Sequence, residues 1–200
     1  MLKSPFATRA PFAGLPIAGA AGRGVIVTDR DGLGIATVIV HRGQHAALAE
    51  RLRERFQIEL PRGPYRATAG DLALAGTGPQ IWLATQENGG NAFTSFLKAA
   101  IGDLASVSDQ SDGYAVLRLT GPKVRDTLTK TISIDMHSRA FKPGDVASTV
   151  ASHIGATLWR LEDNLDGSPV FEIAVFRSLA DSFWQVLGQS AAPFGIVRLP

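Results

Sequence analysis

Residues 106–130 read "SVSDQSDGYAVLRLTGPKVRDTLTK". A polar, Asp- and Ser-rich run gives way to an alternating segment, 114–119, that places Ala115, Leu117 and Leu119 on one face of a strand. Thr120-Gly121-Pro122 then turns the chain into a helix predicted over 122–131, with Val124 and Leu128 inward. A strand that passes through glycine into a helix is the layout of many phosphate-binding sites. Such a site needs free backbone amides at the helix start, and Pro122 removes one of them. Neither G-x-x-x-x-G-K-[ST] nor G-x-G-x-x-G surrounds the turn. Thr120 or Gly121 as N-cap with proline at the first helical position is an ordinary helix start. The stretch is therefore read as a polar connector followed by the strand, cap and helix that open a second half of the molecule.

Outward from it, the same plan recurs. Downstream, 146–154 and 156–163 are expected as strands meeting at Gly155, "EDNLDGS" as a turn and 170–177 as a strand carrying Phe171, Ile173 and Val175 on one face. A last helix opens at Ser178, with Asp181 completing a capping-box-like pair, and "FGIVRL" (194–199) ends as a strand. Upstream, "GVIVTDRDGLGIATVIV" (24–40) reads as a hairpin of two β-branched runs joined by a Gly-containing turn. A helix follows over 44–56, where Leu48, Leu52 and Phe56 recur every four residues. Strands are expected at 65–69, 72–76 and 80–85. A second helix begins after Asn91, its apolar stripe running from Phe93 to Leu104. The fold class this predicts is α+β: duplicated strand-helix-strand-strand-helix halves with antiparallel sheet and helices packed on it. The organisation expected is a single domain over 1–200, with an N-terminal arm at 1–23, a first half at about 24–107 and a second at about 108–200.

Composition narrows the function classes. Twenty basic and 18 acidic side chains leave a net charge of only +2, so no basic stripe points to nucleic acid. There is no cysteine, which removes disulfides, thiolate nucleophiles and cysteine-based metal sites, and fits a cytoplasmic protein. A hydrophobic fraction of 45% and a mean hydropathy of +0.09 lean slightly apolar, as in a subunit that hides surface against partners. No stretch approaches a membrane span. The N-terminal segment is basic, but Pro5, Pro11 and Pro16 interrupt every helix in it, so an arm lying along a partner is expected rather than a targeting peptide.

The chemistry-bearing residues do not assemble into a constellation. Gly32 and Gly34 resemble half of a dinucleotide fingerprint, but "IATVIV" behind them is strand-forming, so the glycines serve a turn. His41 and His45 have the spacing of two zinc ligands on a helix, yet straddle a strand–helix junction with no third ligand in pattern. Asp135 and His137 could pair as orienter and base, but no G-x-S-x-G nucleophile accompanies them; His153 is isolated. Glu162, Asp163 and Asp166 lack the calcium-loop spacing and read as a hairpin tip. Trp82, Trp159 and Trp184 are expected in the core, with an interface role open to at least one of them. No catalytic, cofactor-binding or metal-binding residue is assigned.

Three longer stretches carry a resemblance. "SDQSDGYAVLRLTGPKVRDTLTK", "SIDMHSRAFKPGDVASTVASHIGATLWRLED" and "FEIAVFRSLADSFWQVL" resemble the γ subunit of heterotetrameric sarcosine oxidase. In that family the pattern is roughly "SDQSDGxAVLRLxGPxxRDxL", then "DLHPxxF", a Trp-Arg strand and "RSFAxSLWxxL". Agreement runs over about 106–190. Ile134-Asp135-Met136-His137-Ser138 departs from Asp-Leu-His-Pro, and Tyr114 stands where a basic residue is common. The resemblance implies a fold related to the folate-binding region of glycine-cleavage aminomethyltransferases. It further implies α, β and δ partners, with packing mainly on α. NAD and tetrahydrofolate would be held by α, FAD by β, FMN between α and β, and zinc by δ, with no cofactor and no catalytic residue in this chain. The complex would demethylate sarcosine to glycine, releasing hydrogen peroxide and formaldehyde or 5,10-methylenetetrahydrofolate. Two alternatives stay open on sequence alone: a γ-like subunit of a related complex such as N-methylglutamate dehydrogenase, and a free-standing folate-binding aminomethyltransferase-like protein.

Overall fold

A computed structural model describes residues 10–12 and 22–199. In chain order the elements are β1 (Val25–Asp29), β2 (Gly34–Val40), α1 (His45–Phe56), β3 (Arg66–Ala69), β4 (Leu72–Gly78), β5 (Ile81–Gln86), α2 (Ala92–Ile101) and β6 (Ala105–Asp109). There follow β7 (Tyr114–Thr120), α3 (Val124–Leu128), β8 (Val146–Ala151), β9 (Ile154–Leu161), β10 (Val170–Phe176), α4 (Ala180–Ala191) and β11 (Ile196–Leu199). Two sheets result: a six-stranded one in the order β11-β1-β7-β10-β9-β8 and a five-stranded one in the order β3-β4-β5-β2-β6. All neighbouring strands are antiparallel except β1 and β11, which run parallel with Val25 opposite Ile196.

Strand alternation sorts the apolar side chains into three layers. Leu117, Leu119, Phe171, Ile173, Val175 and Leu158 pack with Val124 and Leu128 of α3 and Phe183, Trp184 and Leu187 of α4. Val38, Val40, Trp82, Ala84 and Leu74 pack with Leu48 and Leu52 of α1 and Phe93, Leu97 and Ile101 of α2. The opposite faces meet in the middle, where Ile35, Ala75 and Leu83 of the smaller sheet contact Val116, Trp159, Ala174 and Val146 of the larger. The molecule is thus a helix–sheet–sheet–helix stack in which both sheets are covered on both faces. That explains why β10 reads as a nearly continuous apolar run.

Several local readings change. The expected 24–40 hairpin does not form: β1 joins the larger sheet and β2 the smaller. Val25 and Val27 bury beside α3 and α4, whereas Ala36, Val38 and Val40 bury beneath α1 and α2. Two half-buried runs joined by a Gly-rich link can satisfy two different sheets, and the link here crosses between them with the Arg30 amide still bonded to the Val116 carbonyl at 3.0 Å. The polar connector holds a strand, β6, whose Ala105 and Val107 are buried while Ser106 and Ser108 are exposed, the pattern of a half-covered edge. Leu104 is buried but follows the end of α2.

The helix expected at 122–131 shortens to α3. Past Leu128 the backbone is pulled toward β8, with Ser152 N–H bonding Thr131 O at 2.7 Å and Ile132 bridging Ala151. β-branched Thr129 and Thr131 favour leaving the helix there. Strands β8 and β9 turn at Ser152 and His153 rather than at Gly155, since Ala151 already pairs with Ile154 and Ser152 takes a φ of 58°. The Asn91 side chain accepts no capping hydrogen bond, and Ser178 is not the cap of the last helix: α4 starts at Ala180 after a 3-10 turn over Arg177–Leu179. Of the N-terminal arm, residues 1–9 and 13–21 lie outside the described residues. Phe12 is buried with its ring 6.1 Å from that of Trp184, and its carbonyl accepts from Arg198.

Candidate functional site

The most chemically loaded place among the described residues is the layer between the two sheets. Glu172 occupies a β10 position whose alternation turns it away from α3 and α4, toward the smaller sheet, on the same face as Ala174. It is buried, and each oxygen is bonded. Arg30 Nε donates to Oε1 at 2.7 Å, Arg118 Nε donates to Oε1 at 2.9 Å, and Trp159 Nε1 donates to Oε2 at 2.8 Å. The strand register makes this possible, because Arg118 and Trp159 lie directly beside Glu172 on β7 and β9. Arg30 reaches in from the link between the sheets and also pairs with Glu87, just past β5. Burial works against the Arg30 charge, but Glu172 and Glu87 outweigh it and raise its pKa. Arg66 of β3 shares this field; its burial lowers its pKa against the pull of the same two glutamates.

Next to the network, a cleft of about 330 Å³ is lined by Arg30, Asp31, Ser111, Tyr114, Val116 and Arg177. Burial, together with the neighbouring Asp29, raises the pKa of Asp31. At the cleft's edge Asp109 accepts the Ser111 amide at 2.9 Å, which is the main reason its carboxyl titrates below the usual range. A second arginine is enclosed on the helix side of the larger sheet. The Arg160 guanidinium lies 4.9 Å from the Phe171 ring and donates to the Val170 carbonyl at 2.8 Å. Burial, with Arg125 nearby, lowers its pKa to about 10.

The residues singled out by sequence are scattered. Gly121, at φ 112°, lies so close to the Gly24 backbone that a Cβ would stand 2.6 Å from the Gly24 oxygen. The Lys123 amide that follows is taken by the same oxygen at 2.9 Å. Gly32 and Gly34 flank the crossing between sheets, and Gly34 is pressed on the Phe93 side chain. His41 contacts Ser106 Oγ at 3.2 Å, while the His45 ring lies 6.0 Å from Trp82. Asp135 accepts the backbone amide of His137 at 2.8 Å, and His137 Nδ1 accepts that of Arg139 at 3.2 Å, so the two hold a turn. Asp163 pairs with Arg160, and Asp166 accepts the Ser168 amide at 2.8 Å. His153 lies in the β8–β9 turn and Glu162 in the loop after β9. Trp82, Trp159 and Trp184 are all buried, and the Trp82 indole donates to Pro61 O at 2.9 Å. Among the described residues no three His, Cys, Asp or Glu side chains cluster as metal ligands, and no helix is long and apolar enough to cross a membrane.

Sequence reading missed the Glu172 network. Its only local signal is a lone Glu inside "VFEIAVF" and a lone Arg inside "YAVLRLT".

Comparison with known proteins adds a separate line. A family model described as "Sarcosine oxidase, gamma subunit family" matches residues 41–193. A protein named sarcosine oxidase subunit gamma from Arthrobacter sp. is 31% identical over 116 residues, 58% of this chain and 56% of that protein. Its namesake from Corynebacterium sp. (strain P-1) is 33% identical over 121 residues, 59% of this chain and 57% of the relative. The matched stretch therefore spans little more than half the length of these relatives. Among solved structures, a chain of the heterotetrameric sarcosine oxidase from Corynebacterium sp. U-96, in complex with pyrrole 2-carboxylate, superposes with a TM-score of 0.79. That match has 24% identity and covers 96% of this chain and 99% of the other. The glycine cleavage system aminomethyltransferase T from Bartonella henselae gives a TM-score of 0.59 at 13% identity, over 92% of this chain and 48% of that one. Both likenesses concern the fold, and they agree with the α+β class and the aminomethyltransferase kinship expected from sequence.

Proposed function

The chain belongs to the sarcosine oxidase gamma subunit family, and from that premise we propose that it is a non-catalytic structural subunit of a heterotetrameric oxidase. In this reading it packs on α, β and δ subunits, mainly α, in the cytoplasm, and supports assembly of the enzyme that oxidatively demethylates sarcosine to glycine. Hydrogen peroxide and formaldehyde or 5,10-methylenetetrahydrofolate are the other products. FAD, FMN, NAD, tetrahydrofolate and zinc belong to the partner chains.

The observation that carries this reading is the end-to-end superposition on one chain of a heterotetrameric oxidase. Support comes from where this chain uses its polar groups. Glu172, Arg30, Arg118 and Trp159 satisfy one another, and Asp135 and His137 are occupied by backbone amides. These are bonds that hold layers and turns together, as a scaffold requires.

Co-expression of this chain with candidate α, β and δ subunits, followed by size exclusion, tests the proposal. Co-elution of all four in one yellow peak, with the γ chain colourless when purified alone, is the expected result. Elution of this chain apart from an active flavoenzyme made of the other three contradicts it.

A further inference from the structure

The contact between the two sheets gives out at one end. Ile35 and Leu83 of the smaller sheet meet Val116 and Ala174 of the larger. Continuing the same alternation along β2 and β5 gives Thr37, Ile39 and Ile81, and Ile39, paired with Ile81, is 45% exposed. On the larger sheet it gives Phe176 of β10 and Val150 of β8, which are 50% and 49% exposed. The two uncovered ends correspond. Ser148 Oγ donates across the layers to the Thr77 carbonyl at 3.1 Å, and Thr77 Oγ1 donates to the Ile81 carbonyl at 3.4 Å.

A groove of about 520 Å³ runs along the larger-sheet wall, lined by Tyr114, Ser148, Val150, Gly155, Thr157 and Phe176. The Tyr114 and Phe176 rings stack there with centroids 5.1 Å apart. None of the residues named on either wall is charged. Contiguous apolar surface left facing water is the mark of a partner site.

The walls select the occupant. Both present side chains rather than strand edges, so an inserted strand would leave its own amides and carbonyls unpaired, whereas a helix bonds its own. A helix with its side chains is about 10–12 Å across, close to the roughly 10 Å between stacked sheets, so it continues the layer where the sheets part. Uncharged walls call for an uncharged helix face, because a charge buried there would go unpaired. The helices of this chain do not offer one. Glu50, Arg53 and Glu54 are exposed on α1, Lys98 on α2, Asp126 on α3 and Asp181 on α4. A second copy is thus a poor fit, and the occupant comes from a different chain.

We propose that this groove receives the uncharged, apolar face of a helix from a partner subunit. The docking rests on the assembly role proposed above and gives that role a surface.

Thiol labelling tests it. The chain has no cysteine, so V150C, I39C and L165C each carry a single thiol. The first two sit one on each wall, and Leu165 is a fully exposed control in the loop after β9. Alkylation is timed by mass spectrometry of this chain, free and with the α, β and δ subunits. With partners at about ten times their Kd, V150C and I39C are expected to label about ten-fold more slowly than in the free chain, and L165C at its free rate. Co-elution of the variants with the partners, but with unchanged rates at V150C and I39C or equal slowing at all three thiols, overturns the groove and leaves the assembly role standing. Failure of the unaltered chain to co-elute overturns both. Protection of V150C that grows with the concentration of this chain alone assigns the groove to a second copy, and overturns the partner helix.

Discussion

Replacing Glu172 by Gln keeps its shape and removes its charge, leaving Arg30 and Arg118 facing each other between the sheets without the carboxylate they share. Breaking a buried ion pair from one side costs about 3–5 kcal/mol. Because Arg118 is partly exposed, the lower end of that range, about 3 kcal/mol, is expected from urea unfolding of E172Q. This residue also shows where sequence reading stops. A lone Glu in an apolar strand announces that something must pair with it. Arg118 on the adjacent strand could have been suspected, since β7 and β10 both alternate clearly. Arg30 could not: it lies 142 positions away, on a link that was read as the tip of a hairpin. Nothing in local spacing encodes a contact made by stacking one sheet on another.

The joint between β7 and α3 teaches the same lesson for an element. Its strand, turn and helix were legible from alternation and from Gly121-Pro122, and the absence of a phosphate motif was legible too. What fixes the turn was not: Gly121 takes a left-handed φ of 112° and presses on the Gly24 backbone, which comes from β1's approach. An alanine there meets both a forbidden backbone region and a Cβ contact of 2.6 Å. G121A is therefore expected to lose about 2–3 kcal/mol in chemical denaturation. G32A, with φ 82° but open space around it, should lose about 1 kcal/mol. A G121A loss no larger than that of G32A would show that the close approach does not matter. The same reasoning explains why β6 was missed: its exposed positions are serines and its buried ones small or sparse, so two-residue periodicity is faint in "ASVSD".

As a whole, the molecule places its helices outside and its two sheets back to back, so its charged network lies at the centre of the stack. The class of the fold was readable because strand and helix periods were both strong in the second half. The exchange of β1 into the larger sheet was not, because each β-branched run fits either sheet equally well. Membership of the sarcosine oxidase gamma subunit family is the premise of the proposal that this stack serves as a scaffold for partner chains. Expressing the α, β and δ partners with and without this chain measures that role. The proposal predicts that omission sharply lowers the yield of assembled, flavin-bound oxidase and that supplying this chain restores it. An assembled oxidase of undiminished yield and activity in its absence would contradict it.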